Sequence, residues 1–157
     1  MARSGYSAAT MTVTFTEAVT LNSKDYGSTQ SFTIANVANV SRRIVTVTTT
    51  EATLFTFSTV MAAGQSIPAN CQYLRFTNLD DTNHIVLTFA NENDDEFAIK
   101  LDKGRSFAIA GDVTGGFVDM FDAKDSALSL SLGDFKSITA DADSGSCDME
   151  VFMAETA

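Results

Sequence analysis

The stretch that decides the fold is residues 71–107, which read CQYLRFTNLDDTNHIVLTFANENDDEFAIKLDKGRSF. Large apolar side chains occupy alternate positions in four runs, at 74–76, 85–89, 97–101 and 107–109. This alternation is typical of β-strands with one buried face. Clusters of Asn, Asp and Gly separate the runs and indicate turns. Successive strands begin about 8–12 residues apart, which predicts an antiparallel meander or Greek key.

The same pattern continues on both sides of this stretch. Further alternating runs lie at 11–15, 45–47, 55–57, 128–132 and 147–153, and shorter candidates lie at 32–34, 117–121 and 135–139. These twelve runs, of which the one at 32–34 is weaker, predict about ten or eleven strands and no convincing helix. We predict a single-domain, antiparallel, all-β sandwich over residues 9–157, jelly-roll-like in its organisation. Residues 1–8 are small and polar, and we expect them to form a flexible N-terminal arm.

Composition excludes several classes of partner. The 157 residues (16.8 kDa) are 45% hydrophobic, which is enough to build a core, and carry a net charge of −10. A domain this acidic is repelled by nucleic acid and by anionic membrane surfaces. Residues 1–78 have five basic and three acidic side chains, whereas residues 79–157 have five basic and seventeen acidic ones. The acidity is therefore concentrated in the second half of the chain, and we expect it to coat a solvent-facing surface.

The residue inventory argues against an enzyme. His84 is the single histidine, so a zinc site or a metal-binding histidine cluster lacks ligands. No nucleophile elbow accompanies it, and we expect a structural or surface role for His84. The two cysteines, Cys71 and Cys147, are too few for a disulfide-stapled scaffold and are interpreted as buried thiols. We predict a protein that is not an enzyme and needs no cofactor.

Acidic loops leave calcium as an alternative. The loop at 91–102 has the oxygen-bearing side chains of an EF-hand at several positions but Glu96 where that loop needs glycine. A non-EF site would use Asn93 and Asp95, or Asp141 and Asp143. The alternative function is therefore a calcium- or carbohydrate-binding β-sandwich module. The competing explanation is that the loops of an acidic protein keep it soluble.

Two aromatic residues are predicted on the outward side of their strands. Tyr73 lies opposite the Leu74 stripe, and Phe152 lies opposite the stripe at 147–153. Either a strand buried on both faces or a protein–protein contact explains them. Together with Arg42, Arg43 and Arg75 of the less acidic half, they form our predicted interface.

Residues 72–87 and 97–107 resemble a pattern found in virion proteins of tailed bacteriophages. The pattern contains a "YLRxTNLD" strand and turn, here 73–80, and a "KLxxGxSF" hairpin, here 100–107. The resemblance implies a capsid decoration (cement) protein located on the virion surface after assembly in the host cytoplasm. A tail or head-fibre component is its alternative. The resemblance further implies that the partner is the major capsid protein or another virion protein. It also implies that the protein forms a homo-oligomer, preferably a trimer, and has no catalytic residues.

Overall fold

The computed structural model describes residues 7–60, 65–123 and 132–157. These residues form twelve strands and no helix, which confirms the all-β prediction. None of them belongs to a helix that could span a membrane. The strands are β1 (Ala9–Glu17), β2 (Thr20–Leu21), β3 (Lys24–Asp25), β4 (Ser28–Val47), β5 (Ala52–Phe57), β6 (Gln65–Ser66), β7 (Cys71–Asn78), β8 (Ile85–Asn91), β9 (Glu96–Leu101), β10 (Ser106–Ala110), β11 (Phe135–Ala142) and β12 (Cys147–Thr156).

Two five-stranded sheets pack against each other, as the β-sandwich prediction requires. The first sheet has the order β1-β4-β12-β7-β10, and the second has the order β6-β5-β11-β8-β9. Neighbouring strands are antiparallel except β5 and β6, which are parallel. Strands β2 and β3 form a separate small hairpin. Each sheet contains strands from both halves of the chain, so the charge asymmetry of the sequence does not separate one sheet from the other.

The strands pair like the two arms of one long hairpin that is wound around the core. β4 pairs with β12, β5 with β11, β7 with β10, and β8 with β9. In the series β4, β5, β7, β8, β9, β10, β11, β12, the first strand therefore pairs with the last. The second and third strands in the same way each pair with one near the end, and the two middle strands pair with each other. Two further ladders, β12 with β7 and β11 with β8, join these pairs into the two sheets.

The core between the sheets is rich in phenylalanine. Phe76 of the first sheet and Phe89 of the second are fully buried and meet edge to face, with ring centroids 6.2 Å apart. Phe89 also contacts Phe135 at 6.0 Å. Burial of each such side chain stabilises the fold by about 1.5–3 kcal/mol. The inward positions agree with the alternation in the sequence, because successive side chains of a strand point to opposite faces.

The strand predicted at 117–121 is wrong. Its residues form turns, with isolated bridges at Asp112–Gly116 and Phe121–Gly133. Gly116 has φ +57°, and a Cβ there would lie 2.5 Å from the Ala69 carbonyl oxygen. The next residue, Phe117, is nevertheless fully buried and packs 4.9 Å from the Phe135 ring. An apolar side chain in a turn can therefore belong to the core.

Two other predictions differ from the structure in extent. The runs at 32–34 and 45–47 belong to one strand, β4, which is 20 residues long. No Gly or Pro interrupts it, and a bulge opposite Ala9 and Met11 accommodates Asn36 at φ +59°. The run at 128–132 falls mostly on residues 124–131, outside the described part of the chain, as do residues 1–6 of the predicted arm.

Two fully buried asparagines organise the loops at opposite ends of the sandwich. At the end of β7, Asn78 accepts a bond from the Asp80 N–H (2.9 Å) and donates to the carbonyl of Leu101 (3.2 Å). At the end of β8, Asn91 accepts bonds from the N–H groups of Asn93 (3.0 Å) and Asp95 (2.9 Å). Each side chain satisfies backbone groups that leave the sheet ladder at these points.

Candidate interaction surface

The most exposed part of the described chain is a two-stranded arm. It comprises residues 9–36, which are β1, the β2–β3 hairpin and the first part of β4. We call it the N-terminal arm, and it does not include the flexible segment predicted at residues 1–8. Its strands are paired from Met11–Ile34 to Glu17–Ser28. Asn22 (φ 50°) and Ser23 (φ 62°) form the turn at its tip, as expected for a tight hairpin turn with two left-handed residues.

The base of the N-terminal arm covers the outer face of the first sheet. One side of the arm is apolar and the other is rich in threonine, as a half-buried ribbon requires. The apolar side packs on the outward-facing residues of β7, β10 and β12. The contacting arm residues are Met11, Val13, Phe32 and Ile34, and the sheet residues are Tyr73, Ala108, Phe152 and Ala154.

This packing explains the two outward aromatic residues that the sequence left open. Tyr73 is only 5% exposed, and its ring meets that of Phe152 edge to face at 6.0 Å. Burial raises the pKa of the Tyr73 hydroxyl, and the nearby Arg75 guanidinium partly opposes that change. The chain's own arm therefore provides cover for both rings, and it does so from outside the sandwich.

Beside the aromatic pair lies an ion-pair group centred on Glu150. Arg42 donates from Nε to Oε2 (2.7 Å), and Arg75 donates from Nη2 to Oε1 (2.6 Å). These two hydrogen bonds hold the pKa of the Glu150 carboxyl below its usual value. Arg75 also donates to the Thr77 hydroxyl (2.7 Å), and its guanidinium lies 5.9 Å from the Phe152 ring. The group links β4, β12 and β7 across the outer face.

Arg43 is not part of this surface. It follows Arg42 in β4, and neighbouring side chains of a strand point to opposite faces. Its Nη2 donates to the Leu54 carbonyl (2.9 Å), and its guanidinium lies 4.9 Å from the Phe55 ring. The structure thus brings together four of the five predicted interface residues and places Arg43 on the other side of the first sheet.

The distal part of the N-terminal arm has no support from the sandwich. Every residue from 14 to 31 is exposed, on both faces of the ribbon. Four of these residues are large and apolar with 45–59% exposure: Phe15, Val19, Leu21 and Tyr26. An isolated two-stranded hairpin is marginally stable in water. An exposed apolar group on such a ribbon is a candidate contact site.

The calcium candidates lie in two separate places. The β8–β11 ladder joins Asn91 to Phe135 at one end and Ile85 to Ala142 at the other. The loop holding Asn93 and Asp95 is therefore at the opposite end of the sandwich from Asp141 and Asp143. In the described ranges, no group of three or more His, Cys, Asp or Glu side chains has the arrangement to hold a metal ion.

Asp143 instead belongs to an acidic end of the sandwich. Its Oδ2 lies 3.2 Å from Nδ1 of His84, which is consistent with a surface role for the histidine. The turns at 48–51, 79–84, 102–105 and 143–146 all meet at this end, as the strand pairing requires. Burial, followed by the charges of Asp80 and Asp143, raises the pKa of the Cys147 thiol. Cys71 and Cys147 are both buried and free, as the sequence interpretation expects.

No protein-family model, curated protein or solved structure matches this chain. The site therefore has to be judged on its own geometry. The sequence reasoning missed the arm, although its signals are present. The alternating runs at 11–15 and 32–34 flank a polar segment with Asn22 and Gly27, which together indicate a hairpin.

Proposed function

We propose that this protein is a non-enzymatic structural component of a virion, and that it attaches to the outer surface of the capsid shell as a decoration protein. Its partner is then the major capsid protein or another virion protein. The pattern at 72–107 supports this class, and that segment forms four consecutive strands, β7 to β10. Because one fold serves many functions, the proposal has to rest on a surface and not on the sandwich alone.

We also infer that the sandwich is a jelly roll. The support is the pairing of β4 with β12, β5 with β11, β7 with β10, and β8 with β9, since a jelly roll is an antiparallel hairpin wound into two sheets. Jelly rolls occur in viral capsid proteins and also in lectins and cupins. The fold is therefore compatible with the proposal without deciding it.

The observation that carries the proposal is the exposed tip of the N-terminal arm. Val19, Leu21 and Tyr26 are 52%, 59% and 55% exposed, and the strands beneath them have no sandwich to rest on. A partner that covers these side chains stabilises both the ribbon and the contact. The arm joins the rest of β4 at Val37, at the end of the sandwich opposite the turns around Asp80 and Asp143. Attachment through the arm therefore leaves the turns at the far end, around Asp80 and Asp143, free to face solvent.

The charge and residue inventory fit the same role. The arm between residues 9 and 36 carries only Glu17, Lys24 and Asp25 as charged residues, so a shell surface of either sign tolerates it. The acidic end keeps nucleic acid and other polyanions away by repulsion. His84, the one histidine of the chain, is engaged with Asp143 on the surface. None of these features requires chemistry beyond binding.

Binding to shells that lack this protein tests the proposal. Shells from the virus that encodes the chain are assembled without its gene and mixed with purified protein, and bound protein is measured by cosedimentation. We expect saturable binding that Leu21→Asp weakens at least tenfold, since a charge must be buried with the tip. The matched control is Val60→Asp, because Val60 is 69% exposed and lies outside the arm. Equal effects of the two variants, or no binding by the wild-type protein, would overturn the proposal. Copurification of the protein with isolated tails would instead favour a tail or fibre component.

A further inference from the structure

One backbone edge of β4 is unpaired over residues 28–36. β12 follows β4 only as far as Val37, which is the partner of Thr156. The residues before Val37 pair with β1 on the opposite edge. Across the described ranges, no strand occupies the β12 side of residues 28–36. Such an edge presents N–H and C=O groups that attract another strand.

This edge carries none of the usual protection against pairing. Its sequence, STQSFTIAN, has no charged residue and no proline. The outer strand β9, by contrast, carries Glu96 and Lys100, and the second half of β4 carries Arg42 and Arg43. Folded proteins place charged residues and proline on exposed edges to prevent association. An edge without them is therefore open to pairing with another strand.

There is room beside the edge for an added strand. A groove of about 810 Å³ runs along residues 32–36 of the N-terminal arm. Its other wall comes from the start of β7, the turn after β10 and the end of β12, and none of its lining side chains is charged. Neighbouring strands in a sheet lie about 4.7–4.9 Å apart, so the groove lies where the next strand belongs.

We propose that a second copy of this chain occupies the edge. The two β4 strands pair antiparallel across a two-fold axis, which gives a continuous ribbon in the order β1-β4-β4-β1. Electrostatic repulsion favours this edge over the rest of the surface as the contact between two copies. Two copies with a net charge of −10 each repel one another over most of their surfaces, whereas residues 28–36 and the residues that line the adjoining groove have no charged side chain.

The symmetry of the contact strengthens this choice of partner. A two-fold interface places the same patch of both copies face to face. A charged edge would then bring like charges together, which destabilises a cross-strand pair, whereas Ser, Thr, Gln and Phe have no such cost. The result is a dimer and not the trimer that the phage resemblance implies. The inference does not depend on shell attachment, because it concerns the purified chain alone.

Sedimentation equilibrium of the full chain tests the proposal. We expect the mass to rise from 16.8 kDa toward twice that value as the concentration increases. The double variant Ser31→Lys/Thr33→Lys should raise the dimer dissociation constant at least tenfold, because lysines then approach lysines across the axis. The matched control is Thr12→Lys/Thr14→Lys, whose positions are exposed, face the same way and pair directly with Thr33 and Ser31.

Several outcomes would overturn the proposal. These are a monomer at all concentrations, a trimer, or equal dissociation by both double variants. Association that occurs only with shells present would assign the edge to a shell strand instead. A second measurement uses single cysteines at Thr29, Ser31 or Thr33, oxidised with copper phenanthroline. At least one of these three cysteines should give a covalent dimer, whereas Thr14→Cys on the neighbouring strand should not. The native cysteines are buried and should not contribute to cross-linking. Failure of all three positions would also overturn the proposal.

Discussion

Replacement of Asn91 by alanine should destabilise the fold more than any exposed polar substitution. Asn91 is fully buried at the end of β8. Its Oδ1 accepts from two backbone N–H groups, at 3.0 and 2.9 Å, and its Nδ2 donates to the Phe121 carbonyl at 3.0 Å. Alanine removes these three hydrogen bonds to backbone groups, together with a longer one from Nδ2 to the Asp95 carboxylate (3.4 Å), and leaves two backbone donors and one backbone acceptor without their partner.

The magnitude follows from the number of bonds and their burial. Each hydrogen bond lost in this way costs about 1–1.5 kcal/mol, so the three bonds to backbone groups predict a loss of roughly 3–4.5 kcal/mol. A typical domain has an unfolding free energy of about 5–15 kcal/mol, so this is a substantial fraction. For a chain of this size the melting temperature should fall by roughly 10 °C. Urea unfolding followed by circular dichroism gives the free energy directly.

The matched control is Asn93→Ala in the same loop. Asn93 contributes its backbone N–H to Asn91, and alanine keeps that group. We expect the control to change the free energy of unfolding by less than about 0.5 kcal/mol. A loss below about 1 kcal/mol for Asn91→Ala, or equal losses for both variants, would refute the argument that the buried amide organises this loop.

Two further predictions concern titratable groups. Because the pKa of Glu150 is depressed in the folded state, the ionised carboxylate stabilises the fold above the unfolded pKa, and this stabilisation is lost as pH falls through the folded pKa. The difference in unfolding free energy between wild type and Glu150→Gln should therefore be largest near neutral pH and vanish in strong acid. A difference that is independent of pH would contradict the ion-pair geometry. Burial, together with the charge of Glu155, raises the pKa of the Cys71 thiol. Iodoacetamide at pH 8 should therefore not modify Cys71 as long as the protein stays folded. Mass spectrometry of digested peptides measures the modification. Rapid modification without unfolding would show that Cys71 is accessible.

The strands were largely predictable because alternation is a local property of an extended backbone. The inward residues Leu74 and Phe76, and Leu87 and Phe89, are all fully buried, as their spacing indicates. Phe117 shows the limit of this reasoning. It is equally buried, but a turn with a left-handed Gly116 carries it, and periodicity contains no information about where a turn lies in space.

The candidate surface was predictable only in part. The sequence predicts Tyr73 and Phe152 as outward aromatic residues and adds Arg42, Arg43 and Arg75 to the same interface. That these four meet around Glu150 depends on the register of β4, β12 and β7, which joins residues more than 70 positions apart in sequence. Arg42 and Arg43 belong to one predicted interface, whereas the alternation of the strand sends their side chains to opposite faces.

The sequence by itself determined that this chain is an acidic, all-β protein with a phenylalanine-rich core, because composition and period-two alternation depend only on neighbouring residues. Only the tertiary structure decided that residues 9–36 fold back over the first sheet, cover Tyr73 and Phe152, and leave an uncharged edge and an apolar tip exposed. The physical reason is that strand pairing and the bend at Asn36 join distant segments through backbone hydrogen bonds. Those bonds are nearly independent of side-chain identity, so the sequence pattern alone does not specify which edges they join.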